Sequence, residues 1–115
     1  MSSADPTGPQ VTARRFEGRV AVVTGGGRNV GQAVGHRLVR EGAQVAVVDL
    51  DTARGEATVV ELEGVREGAA RFVQCDVSSS EEVQRMVADV VGAFGSIDVL
   101  VNNVAVTDRG STVLD

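Results

Sequence analysis

Val20-Ala21-Val22-Val23-Thr24-Gly25-Gly26-Gly27-Arg28-Asn29-Val30-Gly31 runs from an apolar stretch through a glycine cluster into a helix-like segment that continues to Glu41. Consecutive apolar residues suit a strand buried on both faces, as in the middle of a parallel sheet. The glycines let the chain turn with positive φ, and they let a phosphate approach the backbone without a Cβ in the way. A helix starting there directs unpaired N–H groups and its positive dipole end at the turn, which suits an anion. Strand, glycine turn and helix start together predict a cradle for the pyrophosphate of a dinucleotide.

The rest of the chain supports that frame. The first strand is read as Arg19 to Thr24, and Val30, Ala33, Val34, Leu38 and Val39 recur at helical spacing until Gly42. Gln44 to Val48 reads as a second buried strand ending at Asp49. Thr52 to Glu67 reads as a helix with an inward set of Ala53, Ala57, Val60, Leu62 and Val65, interrupted by Gly55 and Gly64. Ala70 to Gln74 is a third strand. Ser79-Ser80-Glu81-Glu82 has the capping-box pattern, and behind it Val83, Met86, Val87, Val90, Val91 and Phe94 make one apolar stripe ending at Gly95. Ile97 to Val101 is a fourth strand, closed by Asn102-Asn103, and residues 104–115 read as loop.

Strands alternating with helices predict a parallel sheet with right-handed crossovers. The expected fold class is α/β, a Rossmann-type parallel sheet of order 3-2-1-4 that stops after its fourth strand, with the ligand crevice at the carboxyl ends of the strands. Residues 1–15, polar and with little to bury, are read as a disordered tail, and 16–115 as one partial domain in which Phe16 is the first anchored side chain.

Composition narrows the function. The chain has 115 residues and a formal net charge of −5, with no basic cluster, which argues against a nucleic-acid partner. No apolar run approaches the length of a membrane span, and the polar amino terminus lacks a signal core. Cys75 is the sole cysteine, which rules out an internal disulfide and a cysteine-based metal site and fits a cytoplasmic setting. All 11 basic residues are Arg; Lys, Tyr and Trp are absent. Without Lys, a phosphate-loop triphosphatase is excluded.

A glycine turn alone is a weak signal, since such turns also serve packing. Three features add to it. Asp49 ends the second strand about twenty residues beyond the turn, where a carboxylate meets ribose hydroxyls. Asp76 follows the third strand, where a carboxylate and the next backbone group can meet an adenine edge. Asn102-Asn103 ends the fourth strand. Thr24-Gly25-x-x-x-Asn29-Val30-Gly31, Val48-Asp49-Leu50, Cys75-Asp76-Val77 and Leu100-Val101-Asn102-Asn103 together resemble the short-chain dehydrogenases/reductases from about Phe16 onward.

That resemblance implies that the turn holds a cofactor pyrophosphate, that Asp49 selects NAD, that Asp76-Val77 holds the adenine, and that Asn102-Asn103 supports the central strand and the nicotinamide ribose. The implied cofactor-binding residues are Gly25, Arg28, Asn29, Val30, Gly31, Asp49, Leu50, Asp76, Val77 and Asn103. Asn29 stands where the family usually has Gly; Asn is the next most tolerant of left-handed backbone. Asn102-Asn103-Val104-Ala105 replaces Asn-Asn-Ala-Gly, and its two added side chains crowd the nicotinamide side. Arg28 favours NADP, but Asp49 followed by Leu50 repels a 2′-phosphate, so NAD is the expected cofactor.

The family's catalytic set is an Asn, a Ser, and a Tyr with a Lys four residues on, all beyond the segment present here. No catalytic residue is therefore assigned, and no metal site. His36 reads as a solvated or partly packed helix residue, Cys75 as a small packed side chain, and Asp51, Glu56, Glu61, Glu63 and Glu67 as a solvated acidic face. Thr107-Asp108-Arg109-Gly110 reads as a loop or capping element. The readings carried forward are the cofactor-binding portion of an oxidoreductase, a non-catalytic dinucleotide module, a truncated relic, and an S-adenosylmethionine methyltransferase fragment, the last opposed by Thr24 and Asn102-Asn103. An uncovered sheet face and an unpaired fourth-strand edge lead us to expect self-association or a complementing chain.

Overall fold

A computed structural model describes residues 15–103. The elements run β1 (Val20–Thr24), α1 (Asn29–Arg40), β2 (Gln44–Asp49), α2 (Thr52–Val65), β3 (Ala70–Gln74), α3 (Ser80–Phe94) and β4 (Val99–Asn102). The strands form one parallel sheet in the order β3-β2-β1-β4, as expected. β1 is buried throughout, which is why its run carries no polar alternation. The expected tail and the readings for Val104, Ala105 and Thr107 to Gly110 lie outside the described residues.

Alternate residues of the inner strands feed two cores. Ala21, Val23, Val45 and Val47 pack with Leu38 and Val39 of α1 and Leu62 of α2. Val20, Val22, Ala46 and Val48 pack on the opposite face with Val73, Cys75, and Met86 and Val90 of α3. Two helices therefore cover one face and one covers the other. Phe16 is partly buried against the first core, and its N–H donates to Glu41 O. Gly42 (φ 104°) and Gly95 (φ 96°) take left-handed backbone where α1 and α3 end.

The helix faces differ from expectation. In α1 the residues turned inward near the site are Gly31 and Gly35, while Val30 is 63% exposed. In α2 the buried residues are Gly55, Thr58 and Leu62; Val60 is exposed, as are Ala53, Ala57 and Val65. Phe72 is the reason. Its ring lies against the helix backbone, and a Cβ on Gly55 would come 2.1 Å from Phe72 Cε1. The apolar volume comes from the strand, and the helix contributes a gap.

α2 stops at Val65 instead of Glu67 because Arg66 takes extended backbone and caps its neighbour helix. Its guanidinium donates to Val39 O, Gly42 O and Ala43 O at 2.7, 3.3 and 2.6 Å. β4 begins at Val99 rather than Ile97. Asp98 precedes it and exchanges bonds with Val20: Val20 N donates to Asp98 Oδ2 (2.9 Å) and Asp98 N to Val20 O (2.8 Å). The Val20 bond holds the Asp98 carboxyl below its usual range. In α3, Met86 and Val90 are buried, whereas Val87 and Val91 remain exposed, as does Leu100 on β4.

The acidic residues in and beside α2 are exposed or half-buried, and three of them also hold local donors. Asp51 caps the helix by accepting from Arg54 N at 3.1 Å. Glu63 accepts from Gly68 N and Ala70 N, both at 2.9 Å, which lowers its carboxyl from the ordinary range. Glu61 accepts from the Gln32 side chain at 2.7 Å. Glu56 and Glu67 are exposed.

Candidate functional site

The site begins where β1 ends. The Thr24 hydroxyl accepts from Asn103 N and donates to Asn102 Oδ1, each at 3.0 Å, tying β1 to the end of β4. Gly25 then takes φ 66°, a conformation that side chains rarely adopt. Asn103 Nδ2 donates to Gly25 O at 3.4 Å. A Cβ on Gly31 would lie 2.3 Å from Gly25 O and 2.8 Å from Asn103 Nδ2. Gly25, Gly31 and Asn103 are thus one close-packed knot, and Gly31 is buried in it.

The turn's donors are distributed differently from the sequence reading. Gly26 N donates to Val48 O (3.2 Å), Gly27 N to Asp49 Oδ2 (3.0 Å) and Arg28 N to Gly25 O (3.1 Å). The amides of Gly26 and Gly27 are therefore engaged by protein. Among the described residues, nothing accepts from the N–H groups of Asn29, Val30 and Gly31, and Arg28 supplies no side-chain cap. These are the first residues of α1, where unpaired donors and the positive dipole end coincide. Asn29 is the first helical residue, so tolerance of left-handed backbone is not what admits it; Gly25 makes the left-handed bend.

Asp49 is only 4% exposed and faces the turn. Besides accepting from Gly27 N, it accepts from Asp51 N through Oδ1 at 2.9 Å. It links the glycine turn to the start of α2. Each carboxylate oxygen has a second acceptor direction, so two backbone bonds leave capacity for two more donors.

Asp76 is also held on several sides. Its Oδ1 accepts from Ser78 N (2.9 Å) and Ser78 Oγ (2.7 Å), which holds the carboxyl below its ordinary value. Its O accepts from Ser79 N at 2.9 Å, and its own N–H donates to Glu82 Oε1 at 2.8 Å. Ser79 accepts from Glu82 N (3.2 Å), which is one half of the expected capping box. The other half is absent because Glu82 reaches past Ser79 to Asp76.

A pocket of about 160 Å³ lies over the ends of β1, β2 and β3. Six of the residues singled out from sequence line it: Gly25, Arg28, Asp49, Leu50, Asp76 and Val77. Val48, Cys75 and Ser78 complete the lining. Sequence reading passed over all three as ligand contacts. Ser78 carried a signal, because a Ser two residues after an Asp closes an Asx turn. Cys75 is buried, and loss of hydration pushes its thiol up from the usual value. Asn29 and Val30 stand exposed at the start of α1 outside that lining, and Gly31 and Asn103 lie beneath the turn. Among the described residues no group of three metal-binding side chains is gathered, and no helix is long and apolar enough to cross a membrane.

The 3-2-1-4 parallel sheet, with a glycine turn after β1 and carboxylates at the ends of β2 and β3, defines a Rossmann-type α/β domain with its crevice on the carboxyl side. Residues 19–114 match the model of the short chain dehydrogenase family, and the chain belongs to that family of oxidoreductases. It is 42% identical over 89 residues to L-fucose dehydrogenase of Bos taurus, covering 77% of this chain and 31% of that protein. NAD+-bound xylitol dehydrogenase superposes with a TM-score of 0.75 at 39% identity, over 80% of this chain and 35% of that one. A metagenomic short-chain oxidoreductase in complex with NADP gives 0.74 at 36% identity, over 79% and 41%. The chain thus spans about a third of the length of the curated relatives it matches.

Proposed function

We propose that this chain binds a nicotinamide dinucleotide, as the cofactor-binding portion of a dehydrogenase that moves hydride between that cofactor and an alcohol or ketone. One observation carries the reading. Residues from the ends of three strands, chosen for three different parts of an adenosine diphosphate, converge on a single pocket. Asp49 would take the ribose hydroxyls, Asp76 and Val77 the adenine, and the N–H groups of Asn29, Val30 and Gly31, unpaired among the described residues, the pyrophosphate. Relatives with NAD and with NADP both support the cofactor class.

Between the two cofactors, the site favours NAD. A 2′-phosphate would approach Asp49, a buried carboxylate that already holds two backbone donors and cannot swing aside without releasing them. Like charges a few ångströms apart repel by about 4 kcal/mol at an effective dielectric near 20. Arg28 lines the same pocket and is exposed, so it offsets part of that repulsion. A cytoplasmic location accords with this cofactor.

A second reading is a non-catalytic dinucleotide module, and it is confined to the residues given, which span about a third of the relatives' length. The chain contains no Tyr and no Lys, the residues to which the family resemblance assigns proton transfer. Titration calorimetry with NAD, NADP and S-adenosylmethionine tests both readings. NAD is expected to bind, NADP about tenfold more weakly, and S-adenosylmethionine not at all. NADH consumption with carbonyl substrates is expected to be absent from this chain by itself. Binding of S-adenosylmethionine without NAD would remove the nicotinamide reading; turnover by this chain alone would remove the module.

A further inference from the structure

The loop that follows β3 is held from outside itself by a residue to which no role has been assigned. Asp76 has four hydrogen-bonding groups, and three are engaged. Its N–H donates to Glu82 Oε1, its O accepts from Ser79 N, and its Oδ1 accepts twice from Ser78. Oδ2 is the feature left over. The next donor along the chain, Val77 N–H, has no acceptor among the described residues. An acceptor and a donor side by side match the edge of adenine, which offers N6–H beside N1. They mismatch hypoxanthine, which offers O6 beside N1–H.

We propose that Glu82 is a positioning residue for the purine: by gripping Asp76 N–H from the first turn of α3, it fixes the direction of Asp76 Oδ2 and Val77 N–H and so sets the preference for adenine. The inference rests on the dinucleotide reading above. Three features make Glu82 the determinant. Its backbone is anchored, since its own N–H donates to Ser79 Oγ at 3.2 Å. Its side chain is partly buried and makes a 2.8 Å bond across six residues to the peptide preceding the Asp76 side chain. Of the other bonds to Asp76, those from Ser78 lie within the loop, and that from Ser79 N, the cap of α3, reaches the Asp76 carbonyl on the far side of the residue. Glu82 is the α3 side chain that holds the Asp76 N–H, the group one peptide away from Val77 N–H. The low-lying Asp76 carboxyl keeps Oδ2 a pure acceptor at neutral pH.

The test is the ratio of dissociation constants for NAD and nicotinamide hypoxanthine dinucleotide, measured by calorimetry on the 115-residue chain. The unaltered chain should prefer NAD by about tenfold or more, because the analogue sets acceptor against acceptor and donor against donor. Glu82→Asp keeps the charge at the start of α3 but withdraws the carboxylate by about 1.5 Å, beyond hydrogen-bond reach. It should bring the ratio to within about threefold of unity. Glu82→Gln retains an acceptor oxygen at the same distance and should keep the preference. A purely structural role would lower the melting temperature without changing the ratio. Glu82→Asp with the full preference intact, or Glu82→Gln losing it as completely as Glu82→Asp, overturns the proposal. So does an unaltered chain that binds both dinucleotides equally. Absence of binding to either removes the dinucleotide reading itself, and the role of Glu82 with it. Should Glu82→Asp not fold, Glu82→Ala is read against Glu82→Gln by the same ratio. If neither of the shortened variants folds, exchange of the Asp76 amide in the unaltered chain decides. It should be protected and become exposed in no variant that keeps the preference; an unprotected amide overturns the proposal.

Discussion

Alanine at Gly31 is expected to destabilise the folded chain by about 3 kcal/mol, at the upper end of overpacking costs, and to remove dinucleotide binding. The added Cβ would lie 2.3 Å from Gly25 O and 2.8 Å from Asn103 Nδ2. The nearest of those atoms is backbone in a left-handed turn, so relief requires moving the turn or lifting α1 off the sheet. Either movement misplaces the N–H groups of Asn29 and Val30. Against a total stability of about 5–15 kcal/mol, such a loss is readily seen in urea unfolding. Gly64→Ala is the control. It lies within α2 with nothing within 4 Å of an added Cβ. It should stabilise by about 0.5–1 kcal/mol through helix propensity. Equal midpoints for Gly31→Ala and the unaltered chain would show that the knot is not closely packed.

Asp49→Ala is expected to weaken NAD by about tenfold or more and to reduce the discrimination against NADP. Two effects combine. The ribose loses its acceptor, and the repulsion felt by a 2′-phosphate disappears. The structure adds a third. Gly27 N and Asp51 N lose their partner in a partly buried place, at a cost of up to about 1 kcal/mol for each donor left to water. NADP affinity in the variant should therefore rise relative to NAD without reaching the affinity of the unaltered chain for NAD. Calorimetry with both cofactors, on both proteins, reads this directly. An unaltered chain that does not distinguish the cofactors removes the specificity argument. A variant in which both affinities fall in equal proportion assigns Asp49 to the turn alone.

The order of elements was legible because apolar runs and glycines punctuate the chain. Ala70 to Gln74 matches β3 at both ends, and the alternation of strands and helices leads to the observed sheet order. Helix faces were less legible. α2 turns Gly55, Thr58 and Leu62 inward, and hydropathy registers neither a glycine gap nor the ring of Phe72 that fills it from β3. α1 repeats the lesson with Gly31 and Gly35 inside and Val30 out. At the site, the glycine turn and the strand ends marked Gly25, Asp49, Asp76 and Val77, and the family resemblance added Arg28 and Leu50. The partners were not legible. That Asp49 binds Gly27 N, and that Glu82 passes over Ser79 to reach Asp76, depends on distances between elements that local pattern does not encode.

The central claim is that a diphosphate lies at the start of α1 while its nucleoside occupies the pocket between Asp49 and Asp76. Amide proton–nitrogen spectra recorded during titration with NAD test it most directly. The account predicts that the resonances of Asn29, Val30, Gly31, Leu50 and Val77 shift together along one binding curve, with those of Gly64 and Gly92 unmoved. Saturable shifts confined to the groove between β3 and α3, lined by Gln74, Arg85 and Asp89, would contradict it.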